Sequence, residues 1–158
     1  MTRSALAAGT IAYLQNNRRR RQGILPPQPR LAPEDVPLPP YHADTPIVRR
    51  DWQVYYDTVT LMDKEVGRLL HELDDSGLAD NTIVFYYSDH GGALPRGKRN
   101  IHDSGTRVPL IVRFPKKWAH LAPARPGQWI EDPVSFVDLP PTAFSLANVA
   151  IPNHFEGR

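Results

Sequence analysis

The sequence predicts an α/β domain with helices packed on a mostly parallel sheet, and three observations carry that reading. The first is an apolar run rich in β-branched and aromatic residues, Thr82-Ile-Val-Phe-Tyr-Tyr-Ser88, which stops at Asp89-His-Gly-Gly92. Such a run reads as a strand buried on both faces, the kind found in the middle of a parallel sheet. The second is the long amphipathic stretch just before it. The third is their order, because a helix followed by a buried strand is half of a crossover unit.

The helix is the best-marked element. Thr45 is a good N-cap, and Pro46 suits the first helical position, where no amide donor is needed. Val48, Trp52, Tyr55, Val59, Met62, Val66, Leu69 and Leu73 then recur at steps of four and three, predicting one apolar stripe from Pro46 to about Ser76. Arg49, Arg50, Asp51, Asp57, Lys64 and Glu65 lie off the stripe and should be wet. Gly77 is placed to stop the helix in a left-handed turn. Residues 78–81 form a short turn into the strand.

Upstream, residues 1–37 read as a basic, proline-rich arm, extended or disordered. A short helix from Ser4 to Asn16 is conceivable, and Arg18 to Arg21 form a basic cluster. Pro26, Pro27, Pro29, Pro33, Pro37, Pro39 and Pro40 then exclude helix interiors and favour extended chain. The cluster has no interleaved aromatics, so a solvated arm or a lasso packed on a larger body is expected rather than a nucleic-acid or membrane surface. Residues 38–158 carry the folded part.

Composition bounds the chemistry. The 158 residues suit one domain with its own core, and 19 Lys and Arg against 17 acidic residues leave a net charge of +2. No cysteine is present, which excludes disulfides, thiolate metal sites and a cysteine nucleophile within this chain. No apolar run approaches the roughly 20 residues of a membrane span. Ala5 to Leu14 is too short and interrupted for a signal peptide, and the positive charges follow it rather than precede it. The chain reads as soluble, with no nucleic-acid partner.

Ligands of open α/β sheets bind beyond the carboxyl ends of strands, where Asp89 and His90 lie, and Gly91 and Gly92 let the backbone turn there. Beyond Gly92 comes a polar stretch, residues 93–107, too rich in donors for a plain connector. It reads as an active-site loop in which Lys98, Arg99, His102 and Arg107 can face one anion. Val108 to Phe114 is a second apolar strand closed by Pro115. Residues 116–130 read as an excursion or hairpin. A last helix is expected over about Pro140 to Asn148, with Asp138 or Leu139 near its cap and Phe144, Leu146 and Val149 on its apolar side. No terminating structure is evident at Phe155-Glu-Gly-Arg158.

Taken together, Ser88-Asp-His-Gly91, Gly97-Lys98 and Asp103-Ser-Gly-Thr-Arg-Val-Pro-Leu-Ile-Val112 strongly resemble the C-terminal half of the sulfatase catalytic domain, of the alkaline-phosphatase-like superfamily. Tyr56-Asp-Thr-Val-Thr-Leu-Met-Asp-Lys-Glu-Val-Gly67, Phe136-Val-Asp-Leu-Pro-Pro-Thr142 and Ile151-Pro-Asn-His-Phe-Glu-Gly-Arg158 extend the resemblance over about residues 38–158. It implies that Asp89 and His90 match a pair that helps bind a divalent metal, usually calcium. It implies that Lys98 matches the catalytic lysine that contacts the substrate's sulfate and favours departure of the leaving oxygen. His102 stands where an aromatic residue is common and is carried, with Lys98, as a substrate-binding candidate. Asp103 stands where glutamate is more frequent, and Gly105, Arg107 and Pro109 match framework positions. The implied substrate is a sulfated small molecule or glycan.

The departures matter equally. The family's nucleophile is a formylglycine made within Cys/Ser-x-Pro-x-Arg, and none of Ser4, Ser76, Ser88, Ser104, Ser135 or Ser145 begins that pattern. The acidic metal ligands of the family's first strand have no counterpart either. The expectation is therefore a back portion of a sulfatase domain, partnered by an N-terminal half and inactive alone. Two alternatives stand beside it: a metal-dependent phosphodiesterase or phosphatase of the same superfamily, and a non-catalytic remnant that binds anions.

Overall fold

The computed structural model describes residues 31–157, so the expected Ser4–Asn16 helix and the arginine cluster lie outside the described residues. Two compact units are present. Of the described residues, one contains 31–79 together with Val84–Arg113, and the other contains Asp80–Ile83 and 114–157.

The first unit is built on helix α1, Pro46–Asp75. The Thr45 hydroxyl accepts the Val48 amide at 3.3 Å, as its N-cap position requires. At the other end Gly77 takes φ 69°, and its amide reaches the Asp74 carbonyl at 3.0 Å, a left-handed stop. Both ends fall where capping chemistry predicts them.

The burial of α1 differs from the expected stripe. Its fully buried residues are Gln53, Val54 and Thr58, whereas Val59 and Leu69 of the stripe remain exposed. The reason is the segment preceding the helix, which turns through a 3₁₀ turn at Pro33–Asp35 and lies along α1 as a strap. Gln53 donates to the Leu31 carbonyl at 2.5 Å, Trp52 Nε1 to His42 Nδ1 at 3.1 Å, and Tyr56 to the Pro37 carbonyl at 3.5 Å. Residues 49, 52, 53 and 56 form one ridge of a helix, so the strap follows a single face. Val36 on the strap is only 3% exposed, making it as much a core residue as Val54 at 4%.

Arg49 was expected in solvent and instead works as a clamp. Its Nη1 donates to the carbonyls of Pro33, Glu34 and Val36 at 3.1, 2.8 and 3.3 Å, while Nε and Nη2 grip Asp44. An extended, proline-rich strap has few partners for its carbonyls, and a five-donor guanidinium supplies them.

The sheet of the described residues has two strands, β1 Val84–Tyr87 and β2 Leu110–Arg113, paired antiparallel in the register Val84↔Arg113 to Tyr87↔Leu110. The expected parallel arrangement is not the one seen here. A parallel pair needs a crossover of a dozen or more residues, usually a helix. Residues 88–109 instead double back as a loop whose only helix, α2 Asp103–Thr106, is a single turn. Nor are the strands buried on both faces: β1 is half-buried throughout, and Leu110, Ile111 and Arg113 of β2 are exposed. One edge of each strand has no strand neighbour among the described residues. Tyr86 of β1 reaches α1 through its hydroxyl, 3.5 Å from the Met62 sulfur.

In the second unit, Lys116–Leu121 is a 3₁₀ helix rather than one arm of a hairpin. Asn81 Oδ1 accepts from Lys117 Nζ at 2.7 Å and Trp118 Nε1 at 3.2 Å, tying residues 80–83 to it. Helix α3, Leu139–Leu146, follows a 3₁₀ turn at Phe136–Asp138, with Asp138 as N-cap. Phe144 packs on Phe155 at 5.5 Å between ring centroids, and Gly157 passes so close to the Val137 carbonyl that a Cβ would overlap it. Residues 155–157, for which no structure was expected, are thus packed against this unit's helical turns.

Candidate functional site

The site grows from the end of β1. The Ser88 amide bonds to the Pro109 carbonyl at 3.2 Å, carrying the ladder register one step past the strand. The Ser88 hydroxyl then donates to the His90 carbonyl at 2.8 Å and bends the chain. That bend leaves the Asp89 carboxylate 63% exposed and the His90 ring 23% exposed, with His90 Nε2 3.0 Å from Asp89 Oδ2. His90 Nδ1 lies 2.8 Å from the Gly91 carbonyl, which fixes the ring's orientation.

The long loop returns across this corner at glycines. The Gly91 amide donates to Gly105 O at 2.9 Å, and the Lys98 amide to Gly92 O at 2.8 Å. A Cβ at Gly91 would stand 1.8 Å from the Ser104 carbonyl oxygen, and one at Gly97 2.2 Å from that of Gly92. Backbones this close admit only glycine. Gly92 rests on the Tyr55 ring of α1, where an added Cβ would come within 2.8 Å of Cε2. Burial pushes the Tyr55 phenol above its ordinary pKa, with Tyr56 and Tyr86 adding to the shift.

These bonds decide where each candidate falls. Asp89 and His90 are side by side at the strand end. The main chain of half-buried Lys98 is drawn onto Gly92, two residues beyond His90. His102 is the exposed N-cap of α2, and its carbonyl accepts from Gly105 and Thr106 at 2.7 and 3.1 Å. Arg99 and Arg107 are exposed as well. The residues that sequence reasoning missed as parts of the site are Tyr55 and Tyr41, outside the loop, and Arg96 and Ser104 within it. Only the glycine spacing hinted at so close a crossing.

The donor set can be tested against a divalent cation. The Asp89 carboxylate offers hard oxygen donors and the His90 ring a nitrogen, side by side at 3.0 Å, so by chemistry the two residues could both serve one cation. Calcium takes six to eight oxygens, and no cluster of three or more His, Cys, Asp or Glu capable of holding a metal occurs among the described residues. Asp89 and His90 alone fall short of that number.

Comparison with known proteins defines first the class and then the family. An Asp-His pair and a lysine-bearing loop at a strand end belong here to a domain of alkaline-phosphatase-like α/β fold. The sulfatase family model matches residues 11–149, and the chain belongs to the sulfatase family. It is 42% identical over 123 residues to an ulvan-active sulfatase of Formosa agariphila, covering 77% of this chain and 19% of that protein. It is 38% identical over 122 residues to human N-sulphoglucosamine sulphohydrolase, covering 77% of this chain and 23% of that one. Human iduronate 2-sulfatase is 35% identical over 139 residues, covering 74% of this chain and 25% of that protein. The chain thus spans about a fifth to a quarter of the length of these relatives.

Proposed function

We propose that this chain is the portion of a sulfatase that supplies two metal ligands, Asp89 and His90, and the sulfate-contacting lysine, Lys98, for hydrolysis of sulfate esters or sulfamates of carbohydrates. The observation that supports it best is the bond from the Lys98 amide to Gly92, which holds the lysine's main chain beside the Asp89–His90 corner. Relatives named for N-sulphoglucosamine and for iduronate 2-sulfate motivate the carbohydrate substrate class.

The chemistry divides among the residues. The Asp89 carboxylate supplies hard oxygen donors and the fixed His90 ring supplies Nε2; calcium is the cation the family resemblance implies, and the pair alone would equally suit zinc or manganese. When bound, the cation offsets negative charge on the sulfate oxygens. The Lys98 ammonium offsets charge on the sulfate and on the leaving oxygen as it develops. His102, exposed as the N-cap of α2, is the second substrate-binding residue of this reading.

A nucleophile in line with the leaving oxygen is still required, and this sequence has no Cys/Ser-x-Pro-x-Arg. The 158-residue chain on its own therefore binds the anion without turning it over, and the rest of the domain is its partner. Purified chain with calcium, assayed on aryl and sugar sulfates, is expected to show no turnover, while sulfate titration shifts the resonances of His90 and Gly92 in wild type and not in Lys98→Ala. Turnover abolished by Lys98→Ala would overturn the division of labour. A wild-type chain blind to sulfate would overturn the anion assignment.

A further inference from the structure

Two residues other than glycine in the site loop take left-handed backbone conformations: Arg96 at φ 66° and Arg99 at φ 68°. They bracket Gly97-Lys98. A side-chain-bearing residue holds this conformation only where its surroundings over-determine it, and such bends gather at functional sites.

The surroundings of Arg96 are specific. The Ser104 hydroxyl donates to the Arg96 carbonyl at 2.7 Å, from across the loop and not within its own helical turn. The Arg96 guanidinium lies over the Tyr41 ring at 4.9 Å, a cation–π contact. Tyr41 in turn stands edge-on to His42, whose Nδ1 accepts the Trp52 indole. Arg96 is therefore fixed at its carbonyl by the loop and at its guanidinium by the strap. On the far side of Lys98, the Asn100 amide reaches Gly97 O at 3.1 Å and its side-chain amide reaches Lys98 O at 3.1 Å.

We propose that Ser104 and Arg96 are positioning residues for Lys98: the Ser104 hydroxyl and the Tyr41 ring hold Arg96 in its left-handed bend, and that bend delivers the Lys98 amide to Gly92 beside Asp89–His90. This rests on the reading of Lys98 as the sulfate-contacting residue. A lysine on a long flexible stem can meet the anion at a fixed place only if its main chain is fixed first. Of the groups involved, Ser104 is the one that reaches across the loop to do this with a side chain.

The test uses the 158-residue chain and two NMR readouts: hydrogen exchange of the Lys98 amide, and displacement of Lys98 resonances by inorganic sulfate. Ser104→Ala is expected to speed Lys98 exchange about fivefold, the worth of one hydrogen bond, and to weaken sulfate binding by a similar factor. Ser104→Thr, which keeps the donor, restores both. In an Arg96→Gly background, where glycine takes the bend without strain, removing the Ser104 hydroxyl changes exchange by less than about twofold.

Wild-type exchange in Ser104→Ala, an equal factor in the Arg96→Gly background, or failure of Ser104→Thr to restore it would each overturn the proposal. So would global unfolding of both Ser104→Ala and the double variant, which would give Ser104 to the fold at large. If sulfate leaves wild-type Lys98 undisturbed, the functional reading fails, while the exchange measurements still decide the positioning role.

Discussion

Arg49 and Asp44 face each other as a fork on a carboxylate, Nε to Oδ1 at 2.5 Å and Nη2 to Oδ2 at 2.8 Å, five residues apart across the start of α1. The pair closes the strap onto the helix, since the same guanidinium also serves three strap carbonyls. An exposed pair alone is worth little, but the carbonyl contacts need the planar fork as well as the charge. Arg49→Lys is accordingly expected to lower the thermal midpoint nearly as much as Arg49→Ala. Calorimetry of the two variants checks this, and a wild-type midpoint for the lysine variant would reduce the clamp to simple charge.

Acid should loosen the same closure. Hydrogen bonds from Arg49 hold the Asp44 carboxyl below its ordinary 3.8. A depressed folded pKa stabilises the fold above the unfolded value, and that contribution is lost as pH falls through the folded value. Asp44→Asn is expected to be less stable than wild type at neutral pH and to have a flatter acid limb. Urea midpoints measured between pH 6 and pH 2 provide the comparison.

At the alkaline end the sign reverses. Burial raises the Tyr55 phenol above 10.0, so the folded state keeps this proton more tightly than the unfolded chain does. Its contribution is whole below the unfolded pKa and is lost as pH rises through the folded one. Tyr55→Phe removes that loss and should retain its stability further into alkali. Tyr86, also raised chiefly by burial, keeps part of the alkaline limb in the variant.

Core truncations should rank by burial rather than by place in the apolar stripe. Val54→Ala is expected to cost about 1.5–2 kcal/mol. Val59→Ala, at a side chain 39% exposed, should cost less than about 1 kcal/mol. Chemical denaturation of both variants tests the order, and a larger loss at Val59 would show that the stripe is covered after all.

Gly91 leaves no such latitude. A methyl group there collides with the Ser104 carbonyl, a backbone atom that cannot swing aside. Gly91→Ala is expected to cost about 3 kcal/mol and to release the Lys98 amide from protection, whereas Gly67→Ala, in open space on α1, should be harmless or slightly stabilising. Proton exchange on the two variants separates a loop effect from a general one.

The parts of this fold legible in the sequence are those with local causes. Thr45-Pro46 and Gly77 mark the ends of α1 because capping chemistry acts within one turn. Asp89-His-Gly-Gly92 marks the corner after β1 because a strand that ends in glycines must turn. Strand direction was not legible: an apolar run says nothing of its neighbour's direction, and a helix before a strand pointed to a crossover unit. The proline-rich segment allowed a solvated arm or a packed lasso, and its contacts could not be named because its partners are carbonyls, which have no signature in residue type, and because an arginine off an apolar stripe ordinarily points to water. The bend at Arg96 was equally hidden, since Ser104 lies eight residues away on the returning arm of the loop.

The edge of β2 that has no strand neighbour among the described residues has a practical consequence for handling the chain. A short edge strand with a side chain such as Ile111, 59% exposed, is a template on which another copy can add a strand. At the concentrations spectroscopy demands, copies will meet edge to edge, and turbidity rather than weak affinity will limit the experiment. A single gatekeeping charge, Ile111→Lys, is expected to keep the chain monodisperse in light scattering without touching the corner formed by Asp89, His90 and the Lys98 main chain.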